Sequence, residues 1–102
     1  MGLMIVTYKN KKWERVCTDA YYATRQYGKK MAEKIQTRID QISAFPNVEQ
    51  MLQFQIGRCH ALANNRKGQY AVDLIHPYRL VFTIDKFGNL QVANIQEIVD
   101  YH

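Results

Sequence analysis

Gln69-Tyr70-Ala71-Val72-Asp73-Leu74-Ile75-His76-Pro77-Tyr78-Arg79-Leu80-Val81-Phe82-Thr83-Ile84 is the stretch on which the fold turns. Tyr70, Val72 and Leu74 alternate with Ala71 and Asp73, and Leu80, Phe82 and Ile84 repeat the period of two that half-buried strands show. His76-Pro77 is a turn between them, since Pro has no N–H to give a strand ladder. Downstream, Asp85-Lys86-Phe87-Gly88-Asn89 reads as a second hairpin loop and Leu90 to Val99 as the last strand. Upstream, Asn64-Asn65-Arg66-Lys67-Gly68 is a polar loop leading into the first of the three strands, and the strand pattern as a whole begins after Gly57.

The other half of the chain has a helical period. Met31, Ile35, Ile39 and Ile42 lie on one stripe of a helix, with Lys29, Lys30, Glu33, Lys34 and Asp40 off it. Gly28 precedes this helix, and Phe45-Pro46-Asn47 ends it. A weaker helical stretch runs from about Lys12 to Arg25, a short one lies near Val48 to Phe54, and Met4 to Tyr8 reads as a first strand. The expectation is an α+β domain, an antiparallel sheet packed against an N-terminal helical hairpin, spanning residues 1–102 as one unit.

Composition narrows the function classes. The chain has 102 residues, 47% of them apolar and 23% charged, which suits one globular domain. No apolar run is long enough for a membrane span. The opening Met1 to Val6 lacks the basic flank and length of a signal peptide. Cys17 and Cys59 lie too far apart for a metal-binding pair and read as reduced, packed thiols of a cytoplasmic protein. The net charge of +5 suits an anionic partner. It is unevenly placed: Met1 to Arg38 holds nine basic residues against three acidic ones, and the remainder five against six. Lys9, Lys11, Lys12 and Arg15 suit a solvated helix face and nucleic-acid contact equally. Trp13, Tyr21, Tyr22 and Tyr27 read as helix packing or a partner surface before base stacking.

There is no metal-ligand spacing, P-loop, dinucleotide fingerprint or nucleophile motif, so no metal and no cofactor is expected. Polar residues do gather at strand ends: Arg58 and His60, the loop pair Arg66 and Lys67, then Arg79, and Asp100-Tyr101-His102 at the terminus. These are residue types that cut RNA. A base takes the 2′-OH proton, a cation holds the phosphoryl oxygens, and an acid protonates the leaving 5′-oxygen. His titrates near neutrality, Arg grips phosphate bidentately, and Tyr stacks on a base or relays a proton. Each has a plainer reading too. His60 suits a half-buried edge position, Arg79 a simple ion pair with Asp73, and His76 a structural turn.

From Arg58 onward the sequence resembles the RelE/ParE superfamily of bacterial toxins, in its HigB-like (plasmid maintenance killer) branch. The segments that carry the resemblance are Arg58-Cys59-His60-Ala61-Leu62, Asn65-Arg66-Lys67-Gly68-Gln69-Tyr70, His76-Pro77-Tyr78-Arg79-Leu80-Val81-Phe82 and Glu97-Ile98-Val99-Asp100-Tyr101-His102. It implies a microbial-ribonuclease-like fold and the toxin of a type II toxin–antitoxin system, an endoribonuclease that cuts mRNA on the ribosome without metal and arrests translation. The family's catalytic histidine falls on His60, its phosphate-binding arginine on Arg79, and its terminal triplet on Asp100, Tyr101 and His102. Arg66 matches a loop arginine that binds RNA, with Arg58 and Lys67 as further RNA-binding candidates. Ala63 stands where relatives carry a lysine that neutralises phosphate, and Lys67 is placed to compensate. The implied partners are a cognate antitoxin of helix-turn-helix type, the ribosome and mRNA, and operator DNA only through the antitoxin complex. Two other readings stay open: a ParE-like toxin that inhibits gyrase by binding, and a catalytically weak module that only pairs with an antitoxin.

Overall fold

The computed structural model describes residues 3–100; Met1, Gly2, Tyr101 and His102 lie outside the described residues. Strand β1 (Ile5–Tyr8) leads into four helices, α1 (Lys11–Thr18), α2 (Ala20–Tyr27), α3 (Lys29–Ala44) and α4 (Val48–Gln53). A 3-10 turn (Ile56–Arg58), strand β2 (His60–Ala61) and a second 3-10 turn (Asn64–Arg66) follow. Three longer strands close the chain, β3 (Gln69–Asp73), β4 (Tyr78–Phe87) and β5 (Leu90–Asp100).

The α+β architecture is as expected, but the sheet is mixed rather than wholly antiparallel. Its order is β1-β5-β4-β3-β2, with β2 to β5 antiparallel and β1 parallel to β5. The chain reaches the second edge of the sheet only after crossing the helical layer, so β1 docks alongside β5 in the same direction. The stretch from Lys12 to Arg25 is two helices rather than one. Asp19 is extended (φ −114°, ψ 98°), which ends α1, and its carboxylate accepts the Tyr22 N–H at 3.1 Å to cap α2. Asn10 and Asn47 cap α1 and α4 in the same way. The second hairpin loop is shorter than expected. β4 runs through Phe87, and Gly88 (φ 60°) supplies the positive dihedral that the tight turn needs.

One face of the sheet is covered by the helices. Met31, Ile35, Ile39 and Ile42 of α3 are buried against Val72, Leu80, Phe82, Ala93 and Ile95 of the strands. Burial of each large apolar side chain contributes roughly 1.5–3 kcal/mol before entropy is counted. Trp13, Tyr22 and Tyr27 pack against this core, and Tyr21 stays exposed. Both cysteines are free and buried, and burial pushes the Cys17 thiol up to about 12 and the Cys59 thiol to about 11. Among the described residues no helix is long and apolar enough to cross a membrane.

Candidate functional site

Strand register decides which side chains meet. Paired residues share a face, and Leu80, Phe82, Ala93 and Ile95 define the covered one. The opposite face therefore carries the row His60, Ala71, Val81 and Glu97 across four strands, and beside it Asp73, Arg79 and Val99. Ala71 and Val81 in this row are fully buried, so the longer side chains around them cover the middle of this face.

Asp73 stands between two guanidiniums. Its Oδ1 lies 3.4 Å from Arg79 Nε and its Oδ2 3.1 Å from Arg58 Nε. The Arg79–Asp73 pair is the simple ion pair that the sequence also allowed, and it adds Arg58 to the same carboxylate. The Arg79 side chain is 29% exposed and that of Arg58 79%, so both reach the surface of this face. Arg58 reaches this position through an unusual backbone. Gln55 (φ 50°), Gly57 (φ 57°) and Arg58 (φ 56°) all adopt the left-handed region, which costs a non-glycine residue on the order of 1 kcal/mol or more. At Gly57 a Cβ would come within 2.6 Å of Arg38 Nε. That guanidinium, from α3, donates to the Asp73 carbonyl at 2.6 Å. Arg38 thus ties the helical layer to both the strained turn and the end of β3.

His60 sits on the edge strand with Nδ1 2.9 Å from the Arg58 carbonyl. A carbonyl only accepts, so Nδ1 is the donor in this contact, and whenever the ring is neutral its lone pair lies on Nε2. His60, Arg58 and Arg79 line one cleft of about 420 Å³ with Gln55 and Cys59. A second cleft of about 240 Å³ continues past Arg58, Asp73 and Arg79 to His76, Pro77 and Tyr78. An imidazole with a free lone pair beside two guanidiniums can take a proton from a hydroxyl whose neighbouring phosphate is held by the cations.

Arg66 lies farther along the same face. Its Nη1 donates to Gln69 Oε1 at 2.6 Å and its Nη2 to Glu97 Oε2, which lays the guanidinium across β4. Lys67 is exposed beside it, as is Ala63 at the other end of the loop. Asp100 is exposed at the end of β5, opposite Tyr78, so its position has the parity of Leu80 and Ile98 rather than that of Arg79. Tyr101 and His102, expected at this site, lie outside the described residues. Of the expected residues, the structure brings His60, Arg58 and Arg79 to one cleft and sets Arg66 and Lys67 on the loop along the same face.

Glu97 and Gln69 were not expected here. Strict alternation from Ile95 would turn Glu97 toward the helices, but a register shift between Val81 and Phe82 makes Gln96 an extra residue and moves Glu97 to the uncovered face. The signal was in the sequence. Ala93 and Ile95 are two apart, whereas Ile95 and Ile98 are three apart, a spacing that a strand accommodates only with a bulge. Among the described residues no group of three or more His, Cys, Asp or Glu is arranged to hold a metal ion.

No family model and no curated protein matches the chain. Solved structures do match along nearly its whole length. A YoeB/ParE toxin from Agrobacterium tumefaciens has a TM-score of 0.66 at 15% identity, covering 97% of this chain and 100% of its own. A YoeB dimer from Staphylococcus aureus has a TM-score of 0.55 at 24% identity, covering 99% of each chain. A heterotetrameric YoeB–YefM toxin–antitoxin complex from Staphylococcus aureus has a TM-score of 0.52 at 25% identity, covering 97% of each chain. These structures are named for YoeB and ParE, and none for the HigB-like branch. In fold, the chain is similar to toxins of the RelE/ParE superfamily.

Proposed function

We propose that this chain is the toxin of a type II toxin–antitoxin system and acts as an endoribonuclease that cuts mRNA on the ribosome. The observation that carries the reading is the single cleft that His60 shares with Arg58 and Arg79. In the reaction, His60 Nε2 takes the proton of a ribose 2′-OH as its oxygen bonds to the adjacent phosphorus. The bond from phosphorus to the 5′-oxygen breaks, and an acid protonates that oxygen. Arg79, aided by Arg58, holds the non-bridging oxygens as charge builds on them. In this reading His102 is the acid, Tyr101 stacks on or orients a base, and Asp100 tunes a neighbouring histidine. Arg66 and Lys67 bind the RNA strand beyond the scissile phosphate, with Lys67 offsetting the missing lysine at Ala63. Every group in this scheme belongs to the protein, so the cut needs no metal. The four segments between Arg58 and His102 that carry the sequence resemblance are what support the HigB-like branch within the superfamily.

The partnership with an antitoxin is supported by the similarity to the toxin–antitoxin complex. In the present reading the antitoxin is of helix-turn-helix type and brings the pair to operator DNA, while the free toxin meets mRNA and the ribosome in the cytoplasm.

A translating extract tests the proposal. Purified toxin is expected to arrest synthesis and leave mRNA cut within coding sequence. Arg79→Ala is expected to slow cutting by about 10²–10³-fold, the usual loss for one preorganised charge donor. Cutting that persists at full rate in both Arg79→Ala and His60→Ala would remove the assigned mechanism. Intact mRNA together with blocked supercoiling by gyrase would replace the nuclease with a gyrase-binding toxin.

A further inference from the structure

Arg38 reaches from α3 to the edge of the sheet beside the candidate site. Its Nε donates to the Asp73 carbonyl at 2.6 Å, and its Nη1 to Gln41 Oε1, about a turn further along the helix, at 2.9 Å. Among the described residues it has no carboxylate partner. Both bonds go to neutral oxygens in fixed directions, so the guanidinium fork serves a geometry rather than an ion pair.

The carbonyl that Arg38 takes is one the ladder leaves over. Leu74 N–H donates to the Tyr78 carbonyl at 2.9 Å, and hydrogen-bonded and non-bonded pairs alternate along an antiparallel ladder. Asp73, opposite Arg79, therefore turns its backbone groups away from β4 and toward the side of β2. β2 begins at His60, opposite Ala71, and so stops two positions short of Asp73. Arg38 supplies the donor that the edge strand does not. The same guanidinium closes against the turn before β2. A Cβ on Gly57 would lie 2.6 Å from Arg38 Nε and 2.9 Å from its Cδ, and Gly57 has a φ of 57°, so space and backbone both demand glycine there. Arg38 is thus held between the end of β3 and the turn that carries Arg58.

We infer that Arg38 is a positioning residue for the cleft of His60, Arg58 and Arg79, fixing the turn at Gly57 against the end of β3 so that the three side chains keep their mutual geometry. Its consequence for the reaction rests on the reading of those three as the cutting groups. Each is attached to one of the two backbone points that Arg38 joins. Arg58 follows Gly57 directly, and its Nε lies 3.1 Å from Asp73 Oδ2. His60 Nδ1 donates to the Arg58 carbonyl at 2.9 Å. Arg79 Nε lies 3.4 Å from Asp73 Oδ1. Without Arg38 the Asp73 carbonyl loses its donor, Gly57 loses its backing, and the turn is free to shift against β3. The Arg58 carbonyl moves with the turn, so His60 loses the acceptor that keeps its proton on Nδ1. Part of the neutral ring then carries the proton on Nε2, the atom that must be bare to act as base. Arg38 touches no RNA in this scheme and acts only through Arg58, Asp73 and His60.

The test follows the ring nitrogens of His60 by NMR in the full chain, isotope-labelled at histidine, at a pH where the ring is neutral. The parent protein is expected to hold the proton on Nδ1. Arg38→Met keeps a long side chain but removes both donors, and should move the ring toward the Nε2–H form. Arg38→Lys keeps the charge and one donor for the Asp73 carbonyl, and should restore most of the Nδ1–H form. In a translating extract, Arg38→Met should slow the single-turnover cut by about 10–100-fold, the scale of loss when a reacting group is misplaced by up to 1 Å, with half-saturation nearly unchanged. Thermal unfolding of each variant checks that the fold is intact. Gly57→Ala presses on the same guanidinium from the opposite side and should shift the His60 ring in the same direction, which keeps the test open should Arg38→Met unfold. A ring that stays in the Nδ1–H form in the folded Arg38→Met or Gly57→Ala protein would overturn the inference. So would a lysine variant no better than the methionine one, or a loss confined to half-saturation. If the parent protein leaves mRNA intact, the nuclease reading falls by itself, and the His60 ring still decides whether Arg38 sets the cleft.

Discussion

Arg79 and Leu80 are neighbours in the chain and belong to two different chemistries. Leu80 turns toward the helices, has no exposure, and joins a core made of Ile, Met, Val and Phe. Arg79 turns the other way, onto a face with no helix over it, where it meets Asp73, with Arg58 on the same carboxylate. The covered face is held by burial of apolar area, which is non-directional and depends on how well the side chains fill the space. The uncovered face is held by directional pairs between specific atoms, such as Arg66 with Gln69 and Glu97, and Gln96 with Asn94 and Thr83. One layer of strands thus separates the groups that stabilise the domain from the groups open to a ligand.

The sharpest way to break this contrast is to mutate consecutive residues. Phe82→Ala should cost about 3–5 kcal/mol in urea unfolding, because Phe82 is wholly buried and its loss leaves a cavity. Thr83→Ala, one step along and on the other face, should stay within roughly 0.5–1 kcal/mol. Comparable losses at both positions would erase the distinction between the faces.

The thiols extend it to pH. Cys17 and Cys59 belong to the covered core and titrate at about 12 and about 11, against an ordinary value of 9.0. The unfolded chain loses these protons first. Stability is therefore complete below pH 9 and falls as pH rises toward the folded values, by about 1.4 kcal/mol per thiol for each pH unit. Unfolding free energies from pH 8 to 10.5 should show that decline, and Cys17→Ala should flatten it by about half. A flat profile in the parent protein would mean the thiols are not shielded.

On the uncovered face the expected effects are smaller and concern ligands. Asp73→Asn removes the anion that competes with phosphate for Arg58 and Arg79. Affinity for a single-stranded RNA oligonucleotide should rise several-fold, with a steeper salt dependence. A drop in affinity would show that the carboxylate is needed to hold the guanidiniums in place. The smallest effect belongs to the covering layer itself. Asn10→Ala removes the side chain that accepts the Trp13 N–H at 3.1 Å and should cost roughly 1 kcal/mol of stability with RNA binding unchanged.

Much of the covered face could be read directly. The α3 stripe, the alternation in β3 and β4, and the His76-Pro77 turn all follow from local periodicity, because a side chain's facing is set by its spacing within one element. The pairing of Arg79 with Asp73 was legible for the same reason, since a tight turn centred near His76 places them opposite each other. Glu97 was harder to see because its facing depends on a bulge opposite another strand. The break at Asp19 was missed because a capping residue inside a polar, aromatic stretch looks like one more helical position.

What the sequence determined alone was therefore the kind of each element, the apolar side of each, and the residue types available for chemistry, all properties of neighbours within a few positions. Only the tertiary structure decided that β1 runs parallel to β5, that Arg38 braces the strained turn at Gly57, and that Arg58 and Arg79 share one carboxylate beside His60. Those relations join residues that are distant in the chain. They arise when the helical layer closes over one face of the sheet and leaves the other face's polar groups to find partners across strands.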